Sequence, residues 1–190
     1  TLLVNGTTSD LESSGIGGQD DYLVQSGATL GGTGTINLDP GKTVTVEDGG
    51  ILAPGLSIGT LTVNGGAVFR GELHIELDSL IPAIDLLQID GDLDLSAVTD
   101  KLVFSGNASV AGLYPFLTYT GSLSDPGDVF DAVDFTGLMG NTILEVLYEP
   151  GQIALKLTAQ QPPAEMIPEP ASALALAAGL GLVLGRRRRS

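Results

Sequence analysis

"LGGTGTINLDPGKTVTVEDGGILAPGLSIGTLTVNG", residues Leu30 to Gly65, alternates apolar and polar side chains in short runs. In "TGTINL" Ile36 and Leu38 share a face, and in "KTVTVE" Val44 and Val46 point one way while Thr43 and Thr45 point the other. "GTLTVNG" repeats the pattern with Leu61 and Val63. A period of two with one apolar face predicts half-buried strands. Glycine, asparagine and aspartate separate the runs, as turns require.

Outward from this stretch the pattern persists from Asp20 to about Asp94. "GELHIELD" sets Leu73, Ile75 and Leu77 inward and Glu72, His74 and Glu76 outward. No convincing helical period precedes the C-terminal tail. An aliphatic residue followed by a polar, glycine-containing turn recurs as "VQSGATL" from Val24, "VEDGGIL" from Val46, "VNGGAVF" from Val63 and "IDGDLDL" from Ile89, at intervals of 22, 17 and 26 residues. A loose period near twenty fits one coil of a β-solenoid, whose coils bury their apolar faces on one another. An antiparallel sandwich would also give short strands with glycine turns. The solenoid reading predicts an inward set of Ile36, Val44, Leu61, Val63, Leu73, Ile75, Leu93 and Val103.

Composition agrees with a regular β architecture. The 190 residues hold 27 glycines, no tryptophan and few aromatics, which argues against a deep enzyme pocket. Cysteine is absent, so disulfide and thiolate chemistry are excluded. The net charge is −15, and every acid lies at or before Glu169, with only Lys42, Arg70, Lys101 and Lys156 as bases in that stretch. Such a body repels nucleic acid and anionic lipid. The chain begins with Thr and shows no signal peptide, so residues 1–19 are expected to be a truncated or mature N-terminal segment.

The segment Leu30 to Gly65, and "LAPGLSIGTLTVNG" above all, resembles the strand repeat associated with autotransporter passenger domains. The resemblance covers roughly residues 20 to 100. It implies a right-handed parallel β-helix and a secreted life, and brings no catalytic residues. Coils are expected over 20–112. Residues 113–158 hold the larger side chains Tyr114, Phe116, Tyr119 and Tyr148 and a hairpin turning at "EPGQ", Glu149 to Gln152, and are expected to form a β cap or final coils. Residues 159–167 read as a disordered Pro/Gln linker.

Several constellations invite chemistry. Asp90, Asp92 and Asp94 in "QIDGDLDLS" would fall on one strand face as a carboxylate ladder, but a calcium-hand loop starting at Asp90 has Leu95 and Lys101 where glycine and glutamate are needed. Solvated aspartates are the expectation. His74, the single histidine, alternates with Glu72 and Glu76, too few fixed ligands for zinc. A lyase needs a cation beside its carbanion, and four scattered bases supply none; a glycosidase needs two opposed carboxylates, and no spacing singles out a pair. No catalytic, cofactor or metal residue is assigned, and the chain is read as non-enzymatic. The sequons at Asn5 and Asn107 are short enough to arise by chance.

The chain ends in "IPEPASALALAAGLGLVLGRRRRS", Ile167 to Ser190. The apolar run Ala171 to Gly185 would span about 22 Å as a helix, against about 30 Å of hydrocarbon. Snorkelling arginines and local thinning could close that gap. In residues 168–190 a Pro-Glu-Pro, an apolar helix and an arginine cluster closely resemble the PEP-CTERM sorting signal of Gram-negative bacteria. The resemblance implies an exosortase-type processing enzyme acting near Pro168, Glu169 and Pro170, and bacteria that make extracellular polysaccharide and biofilm. Arg186, Arg187, Arg188 and Arg189 would hold the end of the chain in the cytoplasm.

Together these readings predict an all-β solenoid fragment with a β cap, a linker and one short C-terminal transmembrane helix. The expected role is structural or adhesive. The protein would pass through the inner membrane to the cell surface or matrix, with extracellular polysaccharide as a partner and no nucleic acid. The alternatives are a polysaccharide-acting enzyme on the same scaffold and a cation-binding surface protein.

Overall fold

The computed structural model describes residues 1–3, 7–9, 21–124 and 129–160. Its strands wind through three parallel sheets. The first sheet stacks β1 (Leu2–Leu3), β4 (Thr29–Gly32), β7 (Ile51–Pro54), β10 (Glu72–Asp78), β14 (Lys101–Asn107) and β17 (Ala132–Met139), with the short β11 (Ala83–Ile84) folded antiparallel against β10. The second stacks β2 (Thr7–Ser9), β5 (Thr35–Asn37), β8 (Thr60–Asn64), β12 (Leu86–Ile89) and β15 (Gly112–Tyr119). The third stacks β3 (Tyr22–Val24), β6 (Thr43–Val46), β9 (Gly66–Phe69), β13 (Leu93–Asp94) and β16 (Leu123–Ser124). Each coil takes one strand from each sheet. The body is a β-solenoid, with no helix among the described residues.

The core is a set of ladders in which each side chain rests on its counterpart one coil away. In the first sheet Leu30, Leu52, Leu73 and Leu102 are in register; in the second, Ile36, Val63, Ile89 and Tyr119; in the third, Val24, Val46 and Phe69. Ile36, Val44, Leu61, Val63, Leu73, Ile75 and Leu93 are fully enclosed, as expected. Val103 is not: Leu102 and Phe104 point inward, and Val103 lies on the outer face between His74 and Asp134. "KLVF" offers three consecutive apolar residues, so alternation alone leaves its phase undetermined.

The expected period also needs correction. Val24 rests on Val46, but Val46 rests on Phe69 in the third sheet, whereas Val63 and Ile89 belong to the second. The interval of 17 therefore stepped from one sheet to another. Side chains bonded between adjacent coils lie 22 residues apart at Asp21 and Thr43, 27 at Asn37 and Asn64, and 30 at Asp90 and Thr120. The coils lengthen along the chain because their corner loops grow.

Parallel coiling stops after β17. The chain adds β17 to the first sheet, then closes the second with an antiparallel hairpin of β18 (Thr142–Glu149) and β19 (Gln152–Ala159), β19 pairing with β15. Pro150 and Gly151 make the hairpin turn, and Gly151 adopts φ +77°, which a side chain would resist. Aromatic residues gather here. Phe104 meets Phe116 edge to face at 5.2 Å and stacks on Phe135 at 5.5 Å. The Tyr148 hydroxyl accepts the Phe130 N–H at 3.0 Å, and the Tyr119 hydroxyl donates to the Glu149 carbonyl at 3.2 Å.

Candidate functional site

The outer face of the first sheet is charged. β10 and β14 run side by side, so Glu72 opposes Lys101 and His74 opposes Val103. Glu72 is shared between His74 Nε2 at 2.6 Å and Lys101 Nζ at 3.9 Å, and Lys101 also reaches Asp134 at 3.2 Å. Asp134 is held down at about 2, first by the Thr136 hydroxyl and backbone N–H and then by Lys101. Glu72 thus bridges the His74 ring and Lys101 on this face. Among the described residues no group of three histidine or acidic side chains is placed to hold a metal.

Beside this face lies a groove of about 200 Å³ lined by Pro54, Gly55, Ser57, His74, Glu76 and Asp85. Asp85 is 3% exposed. Its Oδ1 accepts the Gly59 N–H and its Oδ2 the Glu76 N–H, each at 2.8 Å. Burial pushes its carboxyl up to about 6, against the pull of those two bonds. With each oxygen already held by backbone, Asp85 anchors the loop between β7 and β8 to β10. This is a loop staple rather than half of an acid–base pair. The loop explains part of the "APGLSIGT" signature. Gly55 sits at φ +85°, and a Cβ there would lie 1.9 Å from the Ser57 carbonyl oxygen and 2.6 Å from Asp85 Oδ1. Sequence reasoning passed over Asp85; its signal is an acid enclosed by apolar neighbours in "IPAIDLLQI".

The outer face of the second sheet differs. Thr35, Thr62, Gln88, Thr118 and Gln152 align rung by rung, with Asn37 and Asn64 in the next row. Asn64 donates its amide to Asn37, and Thr62 its hydroxyl to Gln88 at 3.3 Å. The rows lead to the corner between the second and third sheets, where a groove of about 350 Å³ is lined by Pro40, Lys42, Thr43, Asn64, Asp90 and Asp92. Rows of hydroxyls and amides both donate and accept, so this face can bond a neutral, hydroxyl-rich ligand.

Asp90, Asp92 and Asp94 do not share one strand face. Asp90 follows β12, Asp92 precedes β13 and Asp94 ends it, with the chain turning at Gly91. Asp90 accepts the Thr120 hydroxyl at 2.8 Å. Asp92 accepts the Ser122 N–H at 2.7 Å and its hydroxyl at 2.8 Å, which hold its pKa below the usual range. Asp94 accepts the Ser96 N–H at 2.8 Å. The first two tie one coil to the next and the third shapes a local turn. Asn107, at the end of β14, accepts the Ser109 N–H at 3.0 Å.

Pro168, Glu169, Pro170 and Arg186 to Arg189 lie outside the described residues, as do Asn5 and the apolar run Ala171 to Gly185. Among the described residues no helix is long and apolar enough to cross a membrane.

No family model matches the chain. It is similar to the adhesin BmaC autotransporter of Brucella suis biovar 1 (strain 1330), with 39% identity over 91 residues. That similarity takes in 44% of this chain and 3% of the much longer adhesin.

Proposed function

We propose that the chain is an exported, non-catalytic adhesive or structural protein of the cell surface or extracellular matrix. The observation that carries this reading is the β-solenoid body together with its similarity to a bacterial adhesin. A solenoid presents long, regular outer faces while each coil depends only on its neighbours, which suits extended display better than a catalytic cleft. The coil is taken as right-handed, the sense that parallel connections within one sheet almost always adopt. The neutral face of the second sheet and its corner groove would meet extracellular polysaccharide.

Delivery is assigned to the tail. In this reading Pro168-Glu169-Pro170 is read by an exosortase-type enzyme, Ala171 to Gly185 enters the inner membrane as a short helix, and Arg186 to Arg189 stay on the cytoplasmic side. Residues 160–167 link the tail to the body, Ala159 being the end of β19, and the envelope of a biofilm-forming Gram-negative bacterium is the setting.

Membrane extraction and intact-mass measurement in an exosortase-bearing Gram-negative host test the assignment. Glu169→Ala is expected to leave an unprocessed, membrane-bound chain, and replacing all four arginines with serine to weaken retention and block processing. A mature mass unchanged by both substitutions overturns the sorting assignment.

A further inference from the structure

One corner of the solenoid, between the first and second sheets, carries a continuous row of exposed apolar residues. The loop between β7 and β8 holds out Leu56. In the next coil, β10 and β11 fold into a small hairpin whose tip is Leu80 and Ile81, 62% and 67% exposed. The coil after that brings Val110 and Leu113 to the same corner; the Ser109 and Val110 N–H groups bond the Ser79 hydroxyl at 2.9 and 3.0 Å, so the two tips are stacked. The turn from β17 to β18 continues the row with Met139, 70% exposed, and Ile143. Away from this corner the outer faces are mainly charged or polar, with Leu2, Leu23, Val98, Val129 and Val133 as exposed aliphatics. These corner loops contain no lysine or arginine; Asp85 is buried, and Asp78, at the base of the hairpin, accepts the Leu80 N–H at 3.0 Å.

Such a row asks for a cover. It is convex, built of loop tips, and suits a soft surface better than a flat protein face. Two copies of a chain with net charge −15 would also repel. The chain's own path points to the same occupant. β19 runs back to this corner, where Ala159 pairs with Thr142 beside Ile143. From there residues 160–170, at most about 40 Å when extended, lead to the apolar run that begins at Ala171.

We infer that this apolar ridge rests on a lipid bilayer, its loop tips entering the interface so that the body lies along the membrane before release. The inference depends on the reading of the tail as a membrane segment. With no basic residue on the ridge, the contact is apolar rather than electrostatic, so uncharged and zwitterionic headgroups suffice.

The chain has no cysteine, so single cysteines label cleanly. Full-length Ile81→Cys and Met139→Cys carry nitrobenzoxadiazole and are mixed with phosphatidylethanolamine–phosphatidylcholine vesicles. Val98→Cys is the control, an equally apolar site, 86% exposed, outside this corner. Vesicles are expected to shift both ridge probes to shorter wavelength and expose them to quenching by nitroxide lipids, leaving the Val98 probe unchanged. Vesicle co-sedimentation without a ridge shift, or an equal shift at Val98, overturns the ridge and leaves the tail reading intact. Failure to co-sediment overturns both. A ridge shift that appears without lipid and tracks a doubling of mass in light scattering assigns the ridge to a second copy and overturns the bilayer.

Discussion

The middle coils and the C-terminal end solve the same problem with different chemistry. Leu73 sits in a coil with neighbours on both sides, resting on Leu52 and Leu102, and aliphatic ladders with plain alternation are enough there. The end has a neighbour on one side only. It closes with an antiparallel hairpin, a trio of phenylalanines and tyrosine hydroxyls bonded to backbone. A parallel coil supplies half of its neighbour's hydrogen bonds and half of its core, so the last coil must find both in its own side chains. β17 also carries a register shift opposite Val103 and Ser105, a local twist that discourages further strands from adding to its open edge.

The comparison predicts graded effects. Leu73→Asp should be the most damaging, because it buries an unpaired charge between two coils; several kcal/mol is on the order of a small domain's whole stability. Thr62→Asp, on the outer face of the adjoining sheet, should cost under about 1 kcal/mol. Urea unfolding followed by circular dichroism separates them, and equal midpoints would refute the strand register.

Phe104→Ala comes next, at about 3–5 kcal/mol, because it removes the ring that joins Phe116 in the coils to Phe135 at the end. Hydrogen exchange should show protection lost over residues 132–159 before residues 60–94. Simultaneous loss in both would mean that the end and the coils form one cooperative unit.

The two regions should also titrate in opposite senses. Asp85, in the coils, has a folded pKa raised from 3.8 to about 6, so its contribution to stability is fully present below pH 3.8 and is lost as pH rises through 6. That loss amounts to at most about 3 kcal/mol. Asp134, at the end, has its pKa lowered to about 2, so its contribution is present above pH 3.8 and lost as pH falls toward 2. Unfolding midpoints measured from pH 3 to 7 should show the Asp85 slope in the native chain and a flatter profile in Asp85→Asn.

Among the substitutions at the C-terminal end, the smaller effect is expected from Tyr148→Phe. It leaves the buried Phe130 N–H without the hydroxyl that accepts it, at about 1 kcal/mol. Thermal melting should show a modest loss, and hydrogen exchange should confine it to the end.

Alternation made the strands legible, because a two-residue period is written in the side chains themselves. It placed seven inward residues correctly and slipped at Val103, where three apolar residues in a row remove the signal. Assigning strands to sheets was harder. Coil length depends on corner loops, and the excursion from Ser79 to Asp85 lengthens one coil without disturbing alternation on either side. The same loops hide the surface features: Asp85 acts across a corner, and the rows Thr35–Thr62–Gln88 and Leu56–Ile81–Val110 emerge only when true coil lengths bring distant residues together.

The hairpin that closes the second sheet is also where mechanical load enters if the protein is pulled by its C-terminal side. Each coil is bonded only to its neighbours, so tension has no distributed core to oppose it and must strip the structure in order, starting with β19 and β18. A coil of about 30 residues pays out roughly 100 Å of chain when it gives way, and successive yields would absorb work in steps instead of one rupture. An outer protein tethered at one end and loaded by flow would thereby behave as an extensible cord, lengthening under strain while the aliphatic ladders of its remaining coils stay closed.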